Sequence, residues 1–139
     1  MSSSLFRPFT CRGLTIPNRF VMAPMTRSFS PDGVPGENVA AYYERRAAND
    51  VGLIITEGTV NDRPGSAGDP NYPLFHGDAA LAGWKNVVKK VHGAGGKIAP
   101  QLWHVGMVRK PGTGPVPDAP SDSPSGLTHT GKSVMPAPG

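Results

Sequence analysis

Gly52-Leu-Ile-Ile-Thr-Glu57 is the stretch on which the fold turns. It is short, apolar and bounded by Asp50 and Gly58, so it reads as a strand, the second of its kind in the chain. Such a strand belongs in a parallel sheet, and a parallel sheet needs helices on its flanks. Upstream, the segment Glu37 to Ala48 carries Val39, Tyr43 and Ala47 at four-residue spacing, with Glu44, Arg45 and Arg46 elsewhere on the cylinder. That pattern predicts an amphipathic helix. Downstream, Leu81, Trp84, Val88 and Val91 repeat with helical period behind Asp78, which predicts a second helix with Asp78 as its cap and Gly93, Gly95 and Gly96 as its stop.

Two further runs flank these helices. Phe20-Val-Met-Ala23, short, apolar and mostly non-alternating, reads as an earlier strand buried on both faces, and Lys97-Ile-Ala-Pro-Gln-Leu-Trp103 as a later one, with a gap in pairing expected at Pro100, which has no N–H to give. The order strand, helix, strand, helix, strand predicts an α/β fold with right-handed crossovers. Ahead of it, Phe6-Arg-Pro-Phe9 and Leu14-Thr-Ile16 read as short edge strands around an Arg12-Gly13 turn.

Composition sets limits on what this fold can serve. The 139 residues include 18 Gly and 16 Pro, about twice ordinary usage, which excludes a helical bundle. The excess is uneven: residues 106–139 hold 13 of the 34, and they read as a long Pro/Gly-rich loop behind an ordered body at 1–105. Charged residues make up 17%, below the roughly 25% of an average soluble domain, a sign that part of this surface is meant to be covered. The net charge of +4 is scattered, with never more than two basic residues in a row, so nucleic acid is not an expected partner. No apolar run is long enough for a membrane span or a signal peptide, and the single Cys11 allows no internal disulfide; the expectation is a soluble, cytoplasmic chain. His76, His92, His104 and His129 lack metal-site spacing, so no metal is expected.

In parallel α/β folds ligands bind beyond the carboxyl ends of strands. The expected tips are Pro24-Met25-Thr26-Arg27, Glu57-Gly58-Thr59 and Gln101-Leu102-Trp103-His104. No dinucleotide fingerprint or phosphate loop is present, because the Gly93 to Gly96 glycines end a helix instead of following a strand. Alternation places Ala99, Gln101 and Trp103 on one face of the third strand. The Gln101 carboxamide offers both donor and acceptor, and either pairs with the imide edge of a pyrimidine-like ring or satisfies backbone in the core. Trp103 either walls a substrate pocket or simply packs. Thr26 either donates to a ligand carbonyl or serves a turn, and Gly58 either lets a backbone N–H approach a ring or makes the turn.

The successive segments Phe20-Val-Met-Ala-Pro-Met-Thr-Arg27, Ala41-Tyr-Tyr43, Gly52-Leu-Ile-Ile-Thr-Glu-Gly-Thr59, Gly83-Trp84-Lys85 and Gln101-Leu-Trp-His-Val-Gly106, taken in this order, resemble the N-terminal motifs of the Old Yellow Enzyme family of flavin-dependent ene-reductases. The resemblance implies a (β/α)8 TIM barrel, of which this chain supplies an N-terminal hairpin and the first three strands with two helices. It implies FMN as cofactor and NAD(P)H as reductant. Pro24, Met25 and Thr26 would lie along the flavin, with the Thr26 hydroxyl at its O4, Gly58 giving a backbone contact near that edge and Gln101 holding the pyrimidine edge. Trp103, Thr26 and Tyr72 would face a small-molecule substrate.

A barrel of this type needs about 250 residues. The substrate-activating His pair or His/Asn pair, the Tyr proton donor and the phosphate grip belong to its later strands, so no catalytic residue is expected in this chain. A complementary C-terminal polypeptide carrying the remaining strands is the expected partner, with a homo-oligomer as a further possibility. The expected activity of the whole is hydride transfer from NAD(P)H through FMN to the activated C=C bond of an α,β-unsaturated carbonyl. The alternatives are a non-catalytic assembly or binding module, and an inactive fragment.

Overall fold

The computed structural model describes residues 3–127. The expected loop therefore continues, at 128–139, outside the described residues, and His129 lies there with it. The element order is β1 (Phe9–Cys11), β2 (Leu14–Ile16), β3 (Val21–Met22), α1 (Glu37–Ala47), β4 (Leu53–Val60), α2 (Asp78–Gly93) and β5 (Ile98–Trp103). β1 and β2 form an antiparallel hairpin, and β3-β4-β5 form a parallel three-stranded sheet with β4 in the centre. This is the α/β order read from the sequence; the described residues form an open sheet, not a closed barrel.

Several boundaries differ, each for a physical reason. The first hairpin strand was expected at Phe6 to Phe9 but begins at Phe9, because its register with β2 is set by the Arg12-Gly13 turn, with Cys11 opposite Leu14 and Phe9 opposite Ile16. Phe6 instead sits in a single 3-10 turn and meets the Phe20 ring edge-on at 5.2 Å. β3 shrinks to two residues, paired only with Leu53 and Ile54, and it is not buried on both faces: Val21 is exposed, because nothing among the described residues packs over its side of this edge strand. β4 runs three residues past Glu57, so Gly58 is inside the strand and not at a turn. Asp78 does not cap α2: Gly77, at φ 75°, occupies the cap position without a side-chain bond, and Asp78 is the first helical residue, where its charge favours the helix N-terminus.

The core lies between the helices and β4. Val39, Ala40, Tyr43 and Ala47 of α1 meet Trp84, Val87 and Val91 of α2 over Ile54. The buried face of α2 is thus Ala80, Trp84, Val87 and Val91, while Leu81 and Val88, expected inside, are exposed. Trp84 sets this rotation, since its indole N–H donates to the Leu74 carbonyl at 2.9 Å and pins the helix to the loop before it. Leu81 and Val88 line, with Phe75, Ile98 and Pro100, a separate apolar groove of about 230 Å³ where α2 meets β5. α2 ends as the glycines require: Gly95 at φ 80° donates to His92 O and Gly96 to Val91 O, both at 2.9 Å.

Pro100 produces the expected gap. The register runs Ile54 to Ile98 and Ile55 to Ala99, then resumes at Gly58 to Gln101, a β-bulge. The Thr56 hydroxyl fills the gap, accepting the Gln101 N–H at 3.1 Å and donating to Glu57 O at 2.7 Å. Thr59 closes the far side by donating to Gln101 O at 2.9 Å.

Candidate functional site at the strand ends

The three parallel strands present their carboxyl ends on one side of the sheet, which brings the sequence-predicted residues into one neighbourhood. Pro24, Met25 and Thr26 follow β3 and are exposed, and the Thr26 hydroxyl has no hydrogen-bond partner among the described residues. Gln101 is half-buried; its backbone is tied down by Thr56 and Thr59, while its side-chain amide has no partner among the described residues. Gly58 stands opposite Gln101 in the ladder and is buried. A Cβ at Gly58 would enter the ring of Trp103, so the glycine is what lets the indole lie flat on β4. Trp103 in turn meets Tyr72 at 5.1 Å between ring centres. These two rings line, with Asp69, Val105, Arg109 and Lys110, a cavity of about 550 Å³ beside the β5 tip. Gly58→Ala should cost about 1–3 kcal/mol of stability through overpacking and should alter the near-ultraviolet circular dichroism of Trp103. Unchanged spectra and stability would show that the ring has room to move.

Residues that the sequence reading passed over tie these tips together. Glu57, 1% exposed, accepts bonds from Arg27 Nε (3.1 Å) and Nη2 (2.7 Å) at Oε1 and from the Arg27 backbone N–H (3.2 Å) at Oε2. The Tyr43 hydroxyl donates to the same Oε1 at 3.3 Å and accepts the Glu57 N–H at 2.8 Å. Burial pushes the Tyr43 hydroxyl above the usual tyrosine range, so it stays protonated and remains a donor. The Arg27 guanidinium also lies 3.7 Å from the centre of the Tyr42 ring. One signal for this network was available: a glutamate within an apolar strand must find a cation or a proton.

Among the described residues, the loop after β5 is tied down at two points. Arg109, 4% exposed, donates to the carbonyls of Ala67, Ala119, Thr113, Val116 and Pro117 and so winds residues 109–119 around one guanidinium. A second tie is ionic. Arg63 donates twice to Asp122, each bond 2.7 Å, and His104 Nε2 lies 3.1 Å from the same carboxylate while its Nδ1 accepts the Gly106 N–H at 2.9 Å. With Nδ1 accepting, Nε2 is the ring nitrogen that donates to Asp122. The Arg63 guanidinium, assisted by His104, holds the Asp122 carboxyl below the usual carboxylate range, against a smaller opposing effect of burial. A lowered native value means that this tie is whole above the ordinary carboxylate range and is lost as pH falls through the lowered value. An NMR titration of the Asp122 carboxyl should therefore show its midpoint below the usual carboxylate range, and an ordinary midpoint would contradict the assignment.

Among the described residues no group of three or more His, Cys, Asp and Glu side chains is placed to hold a metal ion, and no helix is long and apolar enough to cross a membrane.

Known proteins resemble this chain in sequence and fold. The family model for the NADH:flavin oxidoreductase / NADH oxidase family matches residues 4–137. The flavin oxidoreductase hxnT of Emericella nidulans is 39% identical over 142 residues, a match that covers 96% of this chain and 36% of that protein. The 12-oxophytodienoate reductase 7 of Oryza sativa subsp. japonica is 42% identical over 102 residues, covering 73% of this chain and 25% of that one. Among solved structures, morphinone reductase superposes with a TM-score of 0.83 at 45% identity, over 93% of this chain and 33% of its own. The old yellow enzyme homologue from Zymomonas mobilis superposes with a TM-score of 0.73 at 37% identity, over 91% and 36%. The chain spans about a quarter to a third of the length of the curated relatives it matches. A family-model match to residues 4–137, nearly the whole chain, places this chain in the NADH:flavin oxidoreductase / NADH oxidase family.

Proposed function

We propose that the chain forms one wall of the FMN site of an ene-reductase, within a (β/α)8 barrel completed by further strands. The observation that carries the reading is a pair of hydrogen-bonding groups without a partner among the described residues, the Thr26 hydroxyl and the Gln101 amide, at the ends of parallel strands joined through β4. Their chemistry fits the flavin: one short donor for a carbonyl oxygen, and one carboxamide able to match an imide edge. Thr26 with the exposed Pro24 and Met25, Gly58 and Gln101 would hold the cofactor, and Trp103 and Tyr72 would border the alkene. The chemistry the flavin supplies when bound is hydride transfer from NAD(P)H to the β-carbon of an α,β-unsaturated carbonyl.

Residues 1–105 would be the N-terminal part of the FMN-binding barrel, and 106–139 the loop that covers its site. The exposed thiol of Cys11 suits a reducing compartment, and the cytoplasm is the proposed location. The exposed side chains of Val21 and Leu102, on the two outer strands of the sheet, support completion by other strands. The same open edges favour a second reading, an assembly module that pairs with another chain without chemistry.

Titration with FMN, alone and with a polypeptide carrying the remaining strands, separates the two. The ene-reductase reading expects the mixture to retain yellow flavin and to oxidise NADPH or NADH in the presence of an enone. A defined oligomer that holds no flavin and oxidises neither cofactor would overturn it and support the assembly module.

A further inference from the structure

A carboxylate fully buried in a strand is costly unless it is paired with a cation and hydrogen-bonded. Glu57 meets this condition in an unusual way. Three of the bonds it receives come from side-chain groups, the two guanidinium nitrogens of Arg27 and the Tyr43 hydroxyl, and all three land on Oε1. The fourth comes from the Arg27 main-chain N–H and lands on Oε2. A charge pair alone would fix only side chains. The main-chain bond fixes the peptide unit that joins Thr26 to Arg27, and it is held from the residue directly before Gly58. Tyr43 secures the other end, because its hydroxyl also accepts the Glu57 N–H. Arg27 is kept in this rotamer by the Tyr42 ring beneath it, a ring that Arg46 also contacts at 3.5 Å.

We propose that Arg27, Glu57 and Tyr43 are positioning residues: they lock the Thr26–Arg27 peptide to the Glu57–Gly58 segment, and so set where the Thr26 hydroxyl stands relative to a planar ligand across the strand ends. The proposal rests on the flavin reading above and adds to it the device that aims Thr26.

Glu57→Gln tests this with little change of shape. A carboxamide has one oxygen and one NH2, so it cannot accept at both positions. With its oxygen kept toward the guanidinium and Tyr43, its NH2 faces the Arg27 N–H and that bond is lost. In the flavin-loaded chain assembled with the rest of the barrel, Thr26→Ala is expected to shift the flavin reduction potential. In the Glu57→Gln background the same substitution should produce only a small part of that shift, since the hydroxyl has already left its place. A glutamate with a merely structural role would lower stability and leave the Thr26→Ala shift whole, and that additive result would overturn the proposal.

A second readout needs no flavin. Amide hydrogen exchange at Arg27 in the chain itself should become roughly tenfold faster in Glu57→Gln, the scale of one lost charge-assisted bond. The Val87 and Val91 amides of α2 should keep their protection. Equal exchange at Arg27 in both proteins overturns the lock. If the unsubstituted assembly takes up no flavin, or its potential ignores Thr26→Ala, the functional reading fails and the positioning role falls with it; intact flavin with additive shifts rejects the positioning role alone.

Discussion

Arg27→Met should lower the folding stability of the chain by about 3–5 kcal/mol, the range for removing one partner of a buried ion pair. The size follows from what is left behind. Glu57 has a side chain with no exposure, and without the guanidinium it keeps only one backbone N–H and the Tyr43 hydroxyl against a full negative charge. Methionine fills much of the arginine volume, so the loss reports charge and hydrogen bonding more than packing. The paired substitution Arg27→Met with Glu57→Leu should recover much of the loss, because no buried charge then remains. Urea unfolding of the two proteins and the parent measures this. A single variant within about 1 kcal/mol of the parent would show that water takes the place of the guanidinium at Glu57.

Trp84→Ala should cost about 3–5 kcal/mol, as large-to-small changes at buried aromatic positions do. The indole is 4% exposed and its ring centre lies 6.5 Å from that of Tyr43 and 6.2 Å from that of Phe75, so its removal opens a void in the cluster that joins α1, α2 and the loop after β4. It also leaves the Leu74 carbonyl without its donor. Trp84→Phe separates the two contributions: most of the packing stays, and a loss of about 1–3 kcal/mol is expected from the unpaired carbonyl. Thermal unfolding of both variants decides the matter, and equal losses would mean that the hydrogen bond, not the ring volume, dominates.

The elements were legible because short-range patterns dictate them. The four-residue spacing of Val39, Tyr43 and Ala47 put α1 within one residue of its place, and Pro100 announced its own gap in the ladder. What escaped depends on contacts between residues far apart in the chain. Leu81 and Trp84 are equally good helical hydrophobes, and only the carbonyl of Leu74 decides which of them turns inward. Tyr43 looked like a core residue from its period, which it is, but its hydroxyl serves Glu57 fourteen positions away. Arg109 was one basic residue among scattered ones until five carbonyls closed on it, and no periodicity encodes that. Thr26 and Gln101 could be placed at strand ends from the sequence because the strand order fixes which ends converge, whereas the Arg27–Glu57 pair could not, since it depends on two residues thirty positions apart.

The bulge at Pro100 divides the sheet into two phases. Below it, Ile54 shares a side with Ile98; above it, β4 has advanced three residues for two on β5, so Gly58 shares a side with Gln101 and Val60 with Trp103. The parity of β4 against β5 is thus inverted between the half that packs on the helices and the half that ends at the tips. Deleting one residue between Ile55 and Gly58 would restore a single phase and turn the tip of β4 over, carrying Glu57 to the opposite side while leaving Ile54 in the core. Chain length at this one point therefore decides which side chains this face offers.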